Sequence, residues 1–161
     1  MATASKTATL AAAGSILASP ALAAEVSKSI EIAATPAAVW QMIGSFCEIQ
    51  NWHPAVKTCE PGSKDGKKIR TLTLPDGGKL VEEEVSRDDD KMRYTYKILE
   101  GPLPVDNYQS TISVSGSGDM ATVDWSGRFD PKGASEEKAS EVVEGIYEAG
   151  LNSLKDKAGG M

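Results

Sequence analysis

A chain of 161 residues with 40% hydrophobic and 25% charged residues is long enough to bury a substantial core and has the composition of an ordinary globular protein. Its formal net charge of -6 excludes the basic footprint that non-specific nucleic-acid binding needs, and weakens attraction to an anionic membrane surface.

Residues 1–23 read as a cleavable export signal. Lys6 is the only charge before Glu25, and Thr7 to Ala18 is small and apolar but too short to span a bilayer. Ser19-Pro20 breaks it, and Ala21-Leu22-Ala23 is an A-x-A cleavage pattern. Residues 24–161 then form a single domain, expected to be soluble and periplasmic or secreted. In an oxidising compartment Cys47 and Cys59 leave two readings open, a disulfide or two separate buried thiols.

Val26 to Ala33 alternates as a first strand, with Val26, Lys28, Ile30 and Ile32 on one face. Thr35-Pro36 starts a helix, with Thr35 as its N-cap and Val39, Trp40, Met42 and Ile43 as its apolar stripe. Ser45 to Trp52 reads as a second short helix, ending where Pro54 disfavours helix at His53. Val56 to Glu60 is a short strand, and Pro61 to Gly66 a turn-rich loop.

Ile69–Leu74 and Lys79–Val85 flank Pro75-Asp76-Gly77-Gly78, and Asp-Gly signals a tight hairpin. A two-residue turn there pairs Leu72 with Val81 and Arg70 with Glu83, and puts Leu72, Val81 and Val85 on the inner face. A turn centred on Asp88-Asp89 sets Glu83 against Tyr94 and Val81 against Tyr96. One row across three strands then reads Arg70, Glu83, Tyr94. A slip of one residue would turn that row outward. Met92, Tyr94, Tyr96 and Ile98 share a face in the next strand. The stiff connection Glu100 to Asn107 carries Leu103 and Val105, apolar residues placed to cover something.

Tyr108 to Ser115 and Ala121 to Asp130 form the last hairpin. Tyr108, Ser110, Ile112 and Val114 face inward from one strand, and Val123, Trp125 and Phe129 from the other. The expected pairs are Ile112 with Val123 and Ser110 with Trp125. Ser135 to Asp156 is a long helix with Ser135 as cap. Its stripe is Ala139, Val142, Val143, Ile146, Gly150, Leu151 and Leu154, bordered by Tyr147.

Strand, two short helices, six strands and a long helix define an α+β fold. An antiparallel sheet with one apolar face needs such a cover. The stretches Ile32–Trp40, Asn51-Trp52-His53-Pro54, Arg70-Thr71-Leu72, Asp76-Gly77-Gly78, Tyr94-Thr95-Tyr96 and Pro102–Tyr108 together resemble the SRPBCC, START-like superfamily, which includes polyketide cyclase/dehydrase-like proteins. The Trp-His-Pro and Pro-Leu-Pro-Val pieces look closest to its periplasmic MxaD-like subgroup, associated with bacterial methanol oxidation. The resemblance implies a helix-grip fold, a curved antiparallel sheet of about seven strands wrapped around the C-terminal helix. It also implies a hydrophobic cavity between the two.

Trp52, His53, Arg70, Glu83, Tyr94, Tyr96, Tyr108 and Trp125 are the candidate ligand-binding residues. The guanidinium of Arg70 suits a ligand carboxylate, and a Tyr94 hydroxyl extends that network. Glu83 and His53, the single histidine, are the candidate acid/base groups. No metal site or cofactor is expected, because His53 has no cysteine or carboxylate at ligand spacing. The leading expectation is a non-enzymatic protein holding an apolar or amphipathic small molecule. One alternative is a cyclase or dehydratase using Arg70, Glu83 and Tyr94. The other, implied by the subgroup, is an accessory protein of a periplasmic dehydrogenase or its cytochrome.

Overall fold

The computed structural model describes residues 23–160, so the export-signal reading lies, except for Ala23, outside the described residues. Period-two alternation builds seven strands: β1 (Ala24–Ile32), β2 (Thr58–Lys64), β3 (Lys67–Thr73), β4 (Lys79–Asp88), β5 (Arg93–Glu100), β6 (Val105–Ser117) and β7 (Met120–Pro131). They form one antiparallel sheet in the order β1-β7-β6-β5-β4-β3-β2. Two short helices, α1 (Pro36–Ile43) and α2 (Ile49–Trp52), follow β1, and α3 (Glu136–Ala158) ends the chain. This is the α+β, helix-grip arrangement, with the curved sheet wrapped around α3.

The helix caps are the expected ones. Thr35 Oγ1 accepts from the Ala38 N–H at 3.2 Å, and Ser135 Oγ from the Lys138 N–H at 3.2 Å. Ala139, Val143, Tyr147, Leu151 and Leu154 are fully buried, whereas Val142 is 38% exposed. Helix α3 packs chiefly on β1 and β7. Strands β3 to β5 lie apart from it, and a space opens between them and the first turns of the helix.

Several registers differ from expectation. The tight Asp-Gly turn is at Asp65-Gly66: φ is 53° and 76° there, and Lys64 pairs directly with Lys67. Positive φ at both central residues is the type I′ geometry that matches strand twist. The segment read as a loop, Pro61 to Gly66, is therefore mostly strand. At Asp76-Gly77 the connection is longer, because Thr73 pairs with Lys79 and Leu74 to Gly78 all lie in the loop. Arg70 consequently pairs with Glu82, Leu72 with Leu80, and Glu83 with Ile69.

The next turn spans Asp89 to Met92, and irregularities at Val81/Glu82 and around Val85 shift β4 against β5. Glu83 faces Lys97, and Tyr94 faces Arg87. The row Arg70–Glu83–Tyr94 does not form. Val85, read as inward, is 45% exposed where β4 bulges. In the last hairpin the faces are as expected but the partners shift by two: Ile112 opposes Trp125, and Ser110 opposes Gly127. The Cys47–Cys59 alternatives resolve to a disulfide that ties the turn before α2 to β2.

Candidate functional site

The space under α3 is a cavity of about 430 Å³. Leu72 and Leu80 (β3, β4), Ile98 (β5) and Val143 and Ile146 (α3) give it an apolar lining. Its mouth lies between Val142 of α3, the β3–β4 loop at Leu74 to Asp76, and Leu103 of the β5–β6 connection. Leu103 thus covers the cavity as its place on a stiff loop suggested, and Val105 is buried at the start of β6.

Six polar or aromatic side chains complete the wall: His53, Asp76, Glu82, Tyr96, Tyr108 and Trp125. His53 ends α2 and is buried. Its Nδ1 accepts from the Ala55 N–H at 3.1 Å, so Nε2 carries the proton and donates to the Ile146 carbonyl at 2.9 Å. Both ring nitrogens are committed to backbone. Burial, reinforced by the Arg70 charge and opposed by the Ile146 bond, pushes this imidazole down to about 4. At neutral pH His53 is a neutral strut between the end of α2 and α3. Gly150 makes room for it: a Cβ there would stand 2.6 Å from His53 Cδ2 and 2.8 Å from Trp125 Cζ3.

Glu82 is 3% exposed and its Oε2 receives Arg70 Nε at 2.6 Å. Arg70 is 1% exposed and lies behind the cavity wall. Its Nη1 donates to the Phe46 carbonyl, and its guanidinium lies over the Phe46 ring at 3.8 Å and the Tyr96 ring at 5.2 Å. Nη2 is buried with no hydrogen-bond partner among the described residues. Burial pushes the Glu82 carboxyl up and Arg70 opposes it. Glu82 is the only carboxylate that Arg70 contacts among the described residues, and the guanidinium at 2.6 Å is what favours its ionised form against burial.

Glu83 lies on the other face. Its carboxylate sits 3.2 Å from Lys67 Nζ and 3.4 Å from Lys97 Nζ, away from the cavity. Its burial would raise its pKa, but the two lysines outweigh it and hold Glu83 ionised. Tyr94 packs with Trp40, Phe46 and Tyr96 and does not line the cavity. Trp52 is likewise buried outside the lining, tilted against His53 and edge-on to Trp125, with its Nε1 donating to the Ile43 carbonyl.

Of the eight candidate residues, the structure therefore gathers His53, Tyr96, Tyr108 and Trp125 in the wall. It places Arg70, Tyr94 and Trp52 behind it, and Glu83 outside. Sequence reasoning missed Glu82. It also left at the margin Tyr147, whose ring stacks on Trp125 at 4.7 Å between centroids. The signal for Glu82 was the paired glycines 77 and 78, which favour a longer loop than a two-residue turn and shift the register by one.

A hydroxyl chain runs from the wall into the sheet. Tyr96 Oη and Tyr108 Oη are 3.2 Å apart, Tyr108 Oη and Tyr147 Oη 2.6 Å, and Tyr147 Oη and Ser110 Oγ 2.8 Å. Ser110 Oγ donates to the Ser126 carbonyl at 2.8 Å. Trp125 Nε1 donates to Tyr96 Oη at 3.1 Å and Ser110 Oγ at 3.0 Å. Burial pushes Tyr96 and Tyr108 well up and Tyr147 up to about 12, so all three stay neutral hydroxyls.

A curved antiparallel sheet gripping a long helix, with a cavity between them, defines a helix-grip protein of the SRPBCC type. The chain belongs to the polyketide cyclase / dehydrase and lipid transport family, whose model matches residues 23–159. It is similar to the protein XoxI from Bacillus cereus, with 37% identity over 83% of this chain and 94% of that one and a TM-score of 0.78. An uncharacterised protein from Bacillus thuringiensis gives 36% identity, coverage of 84% and 98%, and a TM-score of 0.79. The Zhui aromatase/cyclase from Streptomyces sp. R1128 shares the fold at 15% identity, with coverage of 85% and 94% and a TM-score of 0.69. No curated protein matches the chain significantly in sequence.

Proposed function

We propose that this protein is an exported, non-enzymatic binding protein that holds a small apolar or amphipathic molecule between the sheet and α3. The observation that carries this reading is the cavity of about 430 Å³, within the size range of small-molecule sites, apolar for most of its wall and open to solvent at one end. The two acid/base candidates support binding over catalysis. His53 has both nitrogens bonded to backbone, and Glu83 is outside the cavity.

Export is supported by the A-x-A pattern directly before Ala24, where β1 begins, and by a disulfide, which suits an oxidising compartment. Among the described residues no helix is long and apolar enough to cross a membrane. The accessory reading, docking on a dehydrogenase or cytochrome, rests on the subgroup resemblance. The stretches that carry it are at work in the cavity here: His53 and Leu103 both line it. That favours a ligand over a docked partner.

Native mass spectrometry of the protein purified from its own host is the test. A co-purifying small molecule, absent from a Val142→Trp variant that blocks the mouth, is the expected result. A chain that always emerges empty, and that binds no apolar probe in titration, overturns the reading.

A further inference from the structure

We infer that the cavity selects ligands bearing a hydrogen-bond donor, a hydroxyl or an ammonium, on an apolar body, and that Tyr147, outside the cavity, imposes this selection. The inference rests on the binding reading above and names the class of ligand.

The argument is an inventory of protons. The Ser126 carbonyl can only accept, so Ser110 spends its single hydroxyl proton there. Ser110 Oγ must then accept from Tyr147, Tyr147 Oη from Tyr108, and Tyr108 Oη from Tyr96. Trp125 Nε1 is shared between Tyr96 and Ser110. His53 gives its one proton to Ile146. Every side-chain donor in the cavity wall is therefore already used on another protein atom.

Acceptors remain. Glu82 Oε2 is engaged by Arg70, but no protein donor among the described residues reaches Oε1. Asp76 adds a second carboxylate at the mouth, with Oδ1 engaged by the Gly78 N–H at 2.9 Å. Arg70, which the sequence suggested for a ligand carboxylate, is walled off behind Glu82 and Tyr96. A ligand with a carboxylate or ether oxygen would meet two carboxylates and no free side-chain donor in the wall. A ligand with an O–H or N–H can satisfy Glu82. Sites built around a buried polar group discriminate in this way because the wrong ligand leaves that group unpaired.

Tyr147 controls the direction of the chain. Its hydroxyl is the acceptor that takes the Tyr108 proton, and its phenol ring does not line the cavity. In a Tyr147→Phe protein Tyr108 loses that acceptor, and its proton is free to turn into the cavity. Tyr147 is thus a positioning residue for specificity.

The test is a calorimetric panel of four probes sharing a naphthalene body: 2-naphthylmethanol, 2-naphthylmethylammonium, 2-(methoxymethyl)naphthalene and 2-naphthoate. In the wild-type protein the alcohol and the ammonium are expected to bind about tenfold or more tighter than the methyl ether, with 2-naphthoate weakest. In Tyr147→Phe the ether should gain and the alcohol-to-ether ratio should fall toward one. A merely structural role for Tyr147 would weaken all four probes alike. Equal binding of alcohol and ether to the wild type overturns the selection and leaves the binding reading standing. Binding of none of the four overturns both. The wild-type panel decides even where Tyr147→Phe fails to fold, and where it folds an unchanged ratio removes Tyr147 from the account.

Discussion

Arg70 Nε lies 2.6 Å from Glu82 Oε2, with both side chains buried and the glutamate forming part of the cavity wall. Removing one partner strands a buried charge. Arg70→Met or Glu82→Leu alone is therefore expected to cost about 3–5 kcal/mol. The double variant, which removes both charges, should recover most of that loss. Urea denaturation of the four proteins closes the cycle. Single variants that each cost less than about 1 kcal/mol would show that the orphaned charge finds another partner or water. Glu83→Gln, which touches only two surface lysines, should change stability far less.

Much of the fold was legible because its elements are strongly periodic. Tyr108, Ser110, Ile112 and Val114 alternate against Val123, Trp125 and Phe129, and all seven are buried as read. Strand β4 was not legible in the same way. Its inward residues are Leu80 and Glu82, while Val81 and Val85 make the more apolar series on paper. Hydrophobic alternation therefore favoured the wrong face. With Glu82 and Glu83 adjacent, charge complementarity to Arg70 could not choose between them. Only the length of the Leu74–Gly78 loop decides, and it exceeds the two residues that Asp-Gly suggests. Tyr147 was placed at the border of its helix stripe, because helical spacing ranks positions by angle alone. The polar contacts that draw its hydroxyl into the sheet come from β6, distant in sequence.

His53 predicts a pH dependence of stability. In the unfolded chain a histidine titrates near 6.5, and in the folded protein His53 is pushed down to about 4, chiefly by burial. Between those values the unfolded state binds the extra proton. The His53 contribution is thus fully present above about pH 6.5 and is lost as pH falls toward 4. The loss is of order 3 kcal/mol. Denaturation curves from pH 7.5 to 4 should show it in the wild type and a smaller fall in His53→Asn. Parallel curves for the two proteins would mean that His53 titrates alike folded and unfolded.

Gly145 and Gly150 lie on one helix yet should respond oppositely to alanine. Around Gly145 there is open space, so Gly145→Ala should gain most of the helix-propensity difference, about 0.5–1 kcal/mol. At Gly150 the new methyl would meet the His53 and Trp125 rings at 2.6 and 2.8 Å. Both rings are held, His53 by two backbone bonds and Trp125 by its shared indole proton. Overpacking there costs about 1–3 kcal/mol and outweighs the gain in propensity. Thermal melts should move up for Gly145→Ala and down for Gly150→Ala. A rise for Gly150→Ala would show that the His53 strut yields easily, and would place less weight on it as a fixed part of the cavity wall.

The Cys47–Cys59 disulfide closes a short loop around α2, the element that ends at His53. Loop closure over a sequence separation of 12 is worth about 3 kcal/mol in the chain-entropy account. The bond also holds the backbone next to Phe46, whose carbonyl receives Arg70 Nη1. Its loss should therefore do more than lower stability. Cys47→Ser/Cys59→Ser is expected to shift the guanidinium midpoint down by the equivalent of about 3 kcal/mol and to weaken probe binding in the cavity as well. Comparing the variant with the wild type, with and without reductant, separates the two effects. If stability falls while probe affinity holds, the α2 segment keeps its place without the covalent tie, and the Arg70–Glu82 pair alone is enough to set that end of the cavity.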